Sequence, residues 1–286
     1  MYTFTLAGDC GKTIGSLDRL SLPLGVLASN SSFVVDMRKL TFVHPVGLVG
    51  LLALIERILR ADKELEIKLP GSASVMDYLA ATNFLGALRS IRPISVSKAL
   101  AARMAKPAGL TTILPIRYVN SETAVEELGT YVTSAMPAGS AVAGLYWPCY
   151  TVIGELALNA VQHGGPPGGC WAMAQYYEYM GGARLELAVA DAGIGIRQSL
   201  RKNPKFVHIP NDRIAIRQAL KERVSRFSSP LRGSGLYQAL SELDTKGRSL
   251  LIRSGSGCIE VTGQGRRRSS TRSRLVGVLA EAWIPA

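Results

Sequence analysis

Apolar positions in the first ninety residues predict alternating strands and helices. Phe33–Asp36 is a short apolar run with the β-branched content of a buried strand. Pro45–Arg60 is apolar at helical spacing and gains charges only in its second half, which predicts a helix. Leu65–Leu69 alternates before a Pro-Gly pair and predicts a second strand, while Val75–Phe84 predicts a second helix. This order favours parallel strands joined by helical crossovers.

A third helical pattern, Val152–His163, carries three polar side chains on one face. Glu155, Asn159 and His163 are spaced four residues apart, so each is displaced by about 40° around the helix from the last. The neighbouring stripe is apolar, and the helix is expected to end at the Gly-Gly-Pro-Pro sequence that begins at Gly164. Taken alone, such a polar face is also typical of a solvated helix surface.

Two glycine-containing turns follow this helix along the chain. Arg184–Ala190 alternates and predicts a strand that enters Asp191-Ala-Gly-Ile-Gly-Ile196. This tight turn is expected to expose the Asp191 carboxylate and to bring backbone close to a ligand. Further on, Gly233-Ser-Gly-Leu236 precedes a helical pattern whose free N–H groups would suit a phosphate. Each turn alone is weak evidence, because strand-end and helix-start turns often look like this.

Taken together, the order and spacing of these three motifs resemble those of the Bergerat-fold ATPases. That superfamily includes gyrase, the histidine kinases and the anti-sigma serine kinases. The resemblance covers roughly residues 112 to 286, with ELALNAVQHG, DAGIGI and GSGL as its signature boxes. It extends to Leu275–Pro285, which has the pattern of a last strand and closes in Ile-Pro. An α/β-sandwich ATPase domain is therefore expected in this part of the chain.

The resemblance implies a role for each box. Asn159 would ligate the Mg²⁺ of a bound ATP, and Glu155 would be the catalytic residue that orients or deprotonates the attacking water or hydroxyl. Asp191 would accept a hydrogen bond from the adenine amino group. The other expected nucleotide contacts are His163, Gly193, Gly195, Ile196, Arg232, Gly233, Ser234, Gly235 and Leu236. Among these, His163 is expected to pack or to lie near the metal, and not to be a phospho-acceptor, and Arg232 is the lid arginine expected to reach phosphate.

The N-terminal part carries a second resemblance, over roughly residues 30 to 90. In VVDMRKLTFVHPVGLVGLLALIERILRADKELEIKLP, an Asp-containing strand, a short turn and a Gly-Leu-rich helix follow one another. This sequence resembles the STAS domains of anti-sigma-factor antagonists, in which a Ser near the helix start accepts phosphate. Here the turn is His44-Pro45-Val46-Gly47 and has no hydroxyl. The domain is therefore expected to dock a partner or to support its neighbour, and His44 is more typical of a structural histidine than of an acceptor.

Length and composition then indicate two domains. A chain of 286 residues is long enough for two cores. Arg92–Leu110 combines two Pro and one Gly with an Ala-rich stretch, which marks a boundary. The expected organisation is α/β throughout, with a STAS-like β/α domain over residues 1–108 and a histidine-kinase-like ATPase domain over residues 109–286.

The net charge of +12 is concentrated in two segments. Residues 196–232 hold ten Lys and Arg against two acids, and by resemblance they would form the ATP lid, whose charge would favour closure on a tetra-anionic nucleotide. The second segment, RRRSSTRSR at residues 266–274, contains five Arg and no acid. It is either a solvated loop or a contact for nucleic acid, although it lacks the aromatic residues that stack on bases.

Several protein classes are not favoured. The four Cys form no CxxC pair and have no His cluster nearby, unlike a disulfide scaffold or a structural zinc site. The longest uncharged stretch is broken by Pro and Gly, so no membrane span is expected. The chain does not open with a charged-then-apolar leader, so a cytoplasmic protein is expected.

The leading hypothesis is a Mg²⁺-dependent ATP-binding signalling protein. It would be an ATPase or a serine/threonine protein kinase of the anti-sigma type, with a STAS-type protein or a sigma-factor regulator as its partner. The alternative is a non-kinase, ATP-driven conformational switch in which the lid and the STAS-like domain bind that partner. A third class is an ATPase associated with nucleic acid. Dimerisation is common in the superfamily, so a homodimer is among the assemblies that the resemblance allows.

Overall fold

The described chain has mixed α/β structure with two sheets. The computed structural model describes residues 1–11, 14–23, 25–91, 112–136, 143–165, 168–179, 182–222, 224, 235–243, 247–262 and 267–285. The N-terminal elements are β1 (Tyr2–Cys10), α1 (Ile14–Leu17), α2 (Val26–Ser29), β2 (Ser32–Val43), α3 (Pro45–Arg60), β3 (Glu64–Lys68), α4 (Ala73–Ala81) and α5 (Phe84–Ile91). The C-terminal elements are β4 (Thr112–Val119), α6 (Glu122–Ser134), α7 (Tyr146–His163), β5 (Cys170–Tyr179), β6 (Gly182–Asp191), α8 (Gly195–Leu200), α9 (Asp212–Ala219), α10 (Gly235–Glu242), β7 (Ser249–Thr262) and β8 (Arg267–Pro285).

The N-terminal sheet is parallel, in the order β1-β2-β3. The predicted strand–helix–strand crossover is confirmed, and α3 has the predicted bounds, with Pro45 in its first turn where no N–H partner is lost. β2 continues past the predicted end at Asp36, because it pairs along its length with β1, which was not predicted. The predicted helix Val75–Phe84 is split in two: α4 ends at Ala81, and Asn83 adopts a positive φ of 61° before α5 begins.

The five-stranded sheet is antiparallel, in the order β4-β5-β6-β8-β7. α6 and α7 pack on one face, and α3 packs on the other through β5, β6 and β8. Alternate side chains of β5 follow this division: Trp171 and Met173 join the apolar cluster around α3, whereas Ala172 and Ala174 join the cluster under α7. Both faces of this sheet are therefore buried.

The composition of α3 follows from its position between the two sheets. Thirteen of its 16 residues are buried, as expected for a helix that is apolar around its circumference. Its glycines permit close packing: a Cβ on Gly47 would lie 2.8 Å from the carbonyl oxygen of Cys10, and one on Gly50 would lie 2.9 Å from Leu20 Cδ1. The Gly-Leu-rich pattern thus reflects contact with neighbours on both sides.

Four further predictions concern the last strand, the cysteines, the domain boundary and membrane spans. The predicted last strand, Leu275–Pro285, is confirmed but begins earlier, at Arg267, so the backbone of residues 267–274 is strand rather than the solvated loop considered from the sequence. All four cysteines are buried and free. Residues 92–111, which contain the predicted domain boundary, lie outside the described residues. In the described part of the chain, no helix combines the length and the apolar content needed to cross a membrane.

Candidate functional site

The polar face of α7 lines a cavity of about 320 Å³. Glu155, Asn159 and His163 all contribute to its wall, which confirms that the three share one face. The adjacent apolar stripe, which includes Val152 and Leu156, is buried against the sheet. The helix begins at Tyr146 rather than at the predicted Val152. A proline in its first turn, at position 148, costs no intrahelical hydrogen bond, and the helix ends before Gly164 as predicted.

The cavity wall also includes Asp191, the last residue of β6. The prediction that the turn exposes this carboxylate is wrong, because Asp191 is only 2% exposed. β8 pairs along β6 to this residue, and Oδ1 accepts a hydrogen bond from the N–H of Gly193 at 2.8 Å. Burial raises the pKa of Asp191 to about 7, although the N–H groups of Gly193 and Val278 oppose the shift.

Glycines allow backbone to pass close to Asp191. A Cβ on Gly277, whose φ is +80°, would lie 1.9 Å from the Asp191 carbonyl oxygen. A Cβ on Gly193 would lie 2.1 Å from the carbonyl oxygen of Gly164. Ile196 lines the same cavity as Asp191, Gly193 lines a second cavity on the other side of the turn, and Gly195, with φ +78°, lines both. The DAGIGI turn is therefore a thin wall between two cavities.

The first residue of α10 lies against the polar face of α7. A Cβ on Gly235 would lie 2.3 Å from Glu155 Oε2 and 2.9 Å from Asn159 Nδ2. Gly235 and Leu236 both line the cavity, so the start of α10 and the polar face of α7 meet at the cavity wall. The predicted contacts Arg232, Gly233 and Ser234 lie outside the described residues.

Asn159 and Glu155, the two polar side chains nearest to α10, differ in the chemical groups that they present to the cavity. Nδ2 of Asn159 donates a hydrogen bond to the Glu155 carbonyl oxygen at 2.7 Å, so one of its two amide N–H donors is used within the helix. Its Oδ1 is an oxygen of the kind that Mg²⁺ prefers. Burial raises the pKa of Glu155, which makes its carboxylate a stronger base than an exposed one. The pair combines a neutral oxygen ligand with a basic carboxylate.

A metal at this place would need ligands besides protein side chains. Within the described ranges, no group of three or more His, Cys, Asp or Glu residues is placed to hold a metal ion. Mg²⁺ commonly keeps several waters and substrate phosphates in its coordination sphere and takes only one or two protein oxygens. The side chains present fit an ion that arrives with a phosphorylated ligand.

The first part of the predicted lid is packed on the sheet. α9 lies on β7, where the Asp212 carboxylate accepts hydrogen bonds from the N–H and the hydroxyl of Ser256, both at 2.9 Å. Arg197 donates to the carbonyl oxygen of Pro210 at 2.6 Å, which ties α8 to the loop before α9. Residues 223 and 225–232, the remainder of the predicted lid, lie outside the described residues.

Four polar side chains in the cavity wall were not predicted: Glu122, Gln162, Ser199 and Gln238. Glu122 begins α6 and accepts a hydrogen bond from Gln162 at 2.6 Å, and Gln238 lies on α10. Glu122 directly follows Ser121, whose side chain caps α6 by accepting from the N–H of Ala124. That capping signal locates the helix start, but nothing in the sequence indicates that the start of α6 reaches α7.

Comparison with known proteins adds no family to this description. A scan of the chain against protein-family models finds no match, and a search of curated proteins finds none either.

Proposed function

We propose that this chain is a Mg²⁺-dependent ATP-binding signalling protein of the Bergerat type, most similar to the anti-sigma serine kinases, with a STAS-like N-terminal domain. The observation that carries the proposal is the convergence of Glu155, Asn159, Asp191 and Gly235 on one cavity. These residues come from three separated sequence motifs. The volume of the cavity, about 320 Å³, lies within the range of small-molecule sites. A magnesium ion bound there would neutralise phosphate charge during phosphoryl transfer.

In this proposal each side chain has one task. Asp191 accepts a hydrogen bond from the adenine amino group, which favours ATP over GTP because guanine presents a carbonyl oxygen at that position. Asn159 offers Oδ1 to the ion, and the backbone N–H groups at the start of α10 face the phosphates. Glu155, held against the start of α10, takes the proton of the attacking water or hydroxyl at its carboxylate.

Calorimetric titration of the purified chain with ATP, in the presence and absence of Mg²⁺, tests the proposal. The wild-type protein should bind ATP with Mg²⁺, and Asn159→Ala should lose the Mg²⁺-dependent part of the binding. Asn120→Ala removes an exposed amide at the end of β4 and should behave as the wild type. No heat of binding for the wild-type protein, or undiminished Mg²⁺-dependent binding by Asn159→Ala, would contradict the proposal.

A conformational switch without kinase activity is the second candidate. It is favoured by the packing of α3 on β6, the strand that ends in Asp191, since this contact would connect an occupied cavity to the N-terminal part. Incubation with γ-labelled ATP, Mg²⁺ and an added STAS-domain protein separates the two functions. Label on a Ser or Thr of the added protein identifies a kinase, whereas release of free phosphate alone identifies a switch reset by hydrolysis.

A further inference from the structure

A second cavity, of about 580 Å³, lies on the other side of the DAGIGI turn. It forms where the β7–β8 pairing is irregular: the register shifts between Ser254 and Gly255 and again before Gly257, and the β8 backbone bulges at Gly277. Five arginines from three separate elements line it, together with one carboxylate, that of Asp212. They are Arg57 and Arg60 of α3, Arg197 and Arg201 at α8, and Arg274 of β8.

Among the described residues, the acids close to this cavity leave most of its positive charge uncompensated. The Asp212 carboxylate accepts its hydrogen bonds from the N–H and hydroxyl of Ser256. Arg60 forms an ion pair with Glu56 on α3. Nε of Arg57 is buried, and no hydrogen-bond acceptor lies within reach of it among the described residues. Even with Glu56 counted against Arg60, arginines outnumber carboxylates here by several charges.

Two of the arginines are held in place without being neutralised. Arg197 donates to the carbonyl oxygens of Ile209 and Pro210, and Arg201 donates to the carbonyl oxygen of Ile209 at 3.0 Å. A carbonyl oxygen orients a guanidinium but carries no net charge, so these contacts do not neutralise the positive charge of Arg197 and Arg201. Converging guanidinium groups repel one another, and a bound anion would relieve that repulsion.

The rest of the wall indicates what kind of anion fits. The described lining contains no aromatic side chain on which a base could stack, and much of it is glycine backbone, including Gly193, Gly195 and Gly277. Guanidinium groups bind phosphate through paired hydrogen bonds, which makes arginine well suited to phosphate recognition. We propose that this cavity binds a small ligand carrying two or more phosphate groups, recognised by its charge and not by a base.

This site is separate from the proposed nucleotide site in its charged groups. Neither Glu155 nor Asn159 lines the arginine cavity, and none of the five arginines lines the cavity beside α7. The ligand would contact α3 of the N-terminal part and α8 of the C-terminal part at once, with the DAGIGI turn between the two sites.

Calorimetric titration of the full chain with inorganic pyrophosphate, in low salt and with divalent metals removed by chelation, tests the inference. The wild-type protein should bind pyrophosphate, and Arg57→Ala/Arg274→Ala should weaken the binding at least tenfold. Arg89→Ala removes an exposed arginine from α5, away from the cavity, and should stay within twofold of the wild type. Absence of binding by the wild type, or an equal loss in Arg89→Ala, would overturn the inference.

Two further variants keep the test decisive. Arg274 is exposed, so Arg274→Ala alone should fold, and it should still weaken binding about fivefold; unchanged affinity would overturn the proposal even if the double variant fails to fold. Gly235→Ala adds a Cβ 2.3 Å from Glu155 Oε2 in the cavity beside α7, and it should bind pyrophosphate as the wild type does. If Gly235→Ala loses this metal-free binding, pyrophosphate occupies the cavity beside α7, and the assignment to the arginine cavity is wrong.

Discussion

The indole Nε1 of Trp171 donates a hydrogen bond to Oε2 of Glu56 at 2.8 Å. The two residues are 115 positions apart and join α3 to β5 in a buried contact. Oε1 of the same carboxylate accepts from the Tyr118 hydroxyl at 3.3 Å and pairs with Arg60. A buried charge is tolerated only where such partners replace water. Glu56 thus fixes the packing of the N-terminal helix on the antiparallel sheet.

Removing this carboxylate should be costly. Glu56→Ala leaves the indole N–H of Trp171 without its partner and removes the carboxylate that pairs with Arg60, so we expect a loss of about 2–4 kcal/mol in the free energy of unfolding. Glu66→Ala removes a carboxylate of β3 whose side chain is 61% exposed and should cost less than about 1 kcal/mol. Denaturant unfolding measures both. Equal stabilities of the two variants would contradict the role given to Glu56.

The raised pKa of Asp191 predicts a particular dependence of stability on pH. Its pKa rises from the usual 3.8 to about 7, so between these values the folded state holds a proton that the unfolded state has released. The free energy of unfolding should therefore fall as the pH rises through this window and level off above about pH 7. Asp191→Asn cannot ionise and keeps an oxygen for the Gly193 N–H.

Comparing the wild type with Asp191→Asn isolates the contribution of the Asp191 carboxyl group to the pH dependence of stability. From pH 5 to pH 8, the free energy of unfolding of the wild type should fall by about 2 kcal/mol relative to that of Asp191→Asn. Denaturant unfolding at several pH values measures this difference, since other titrating groups contribute alike to both proteins. Curves that run parallel over this range would show that the carboxylate titrates normally.

Two glycines should respond oppositely to alanine. Gly277→Ala introduces a Cβ at 1.9 Å from the Asp191 carbonyl oxygen, at a φ of +80°, and should destabilise the protein by roughly 2 kcal/mol or more. Gly154 lies within α7 and has open space around its Cβ position, so Gly154→Ala should stabilise by about 0.5–1 kcal/mol. Thermal unfolding of both variants checks the signs, and a stabilising Gly277→Ala would refute the close approach.

Glu155→Gln should separate binding from turnover if the proposed function holds. The amide preserves the size of the side chain but cannot take a proton, so Mg²⁺–ATP affinity should change by less than about threefold while phosphate release falls by about 10²–10⁴-fold. Glu127→Gln, an exposed carboxylate on α6, serves as the control and should leave both quantities unchanged. A collapse of affinity in Glu155→Gln would assign this residue to binding and not to proton transfer.

Helices with a continuous apolar pattern and a clear Pro or Gly at one end could be predicted from the sequence. The bounds of α3 follow from a continuous apolar run opened by Pro45, and the end of α7 follows from Gly164. β1 gives a weak signal, because only Phe4, Leu6 and Cys10 are buried apolar positions and its register with β2 shifts between Thr5 and Ala7 and again between Gly8 and Asp9. Its pairing with β2 is a long-range contact that no local pattern encodes.

The burial of Asp191 and the arginine cavity could not be predicted for the same reason. A strand-end Asp before glycines is normally solvated, and here its burial depends on β8 and on α3 packed behind the sheet. Arg57, Arg197 and Arg274 are far apart in the sequence and converge only because the β7–β8 bulge and α3 meet at one edge. The polar face of α7, in contrast, depends on helical periodicity alone and is visible in the sequence.

The placement of α3 between two sheets has a practical consequence for truncated versions of the protein. A fragment starting at β4 would expose Trp171, Met173 and Leu279 to water. These side chains belong to a continuous apolar surface that α3 covers in the full chain. Such a fragment should aggregate during expression. Its insolubility would report on the missing helix and would carry no information about the chemistry of the cavity on the opposite side of the sheet.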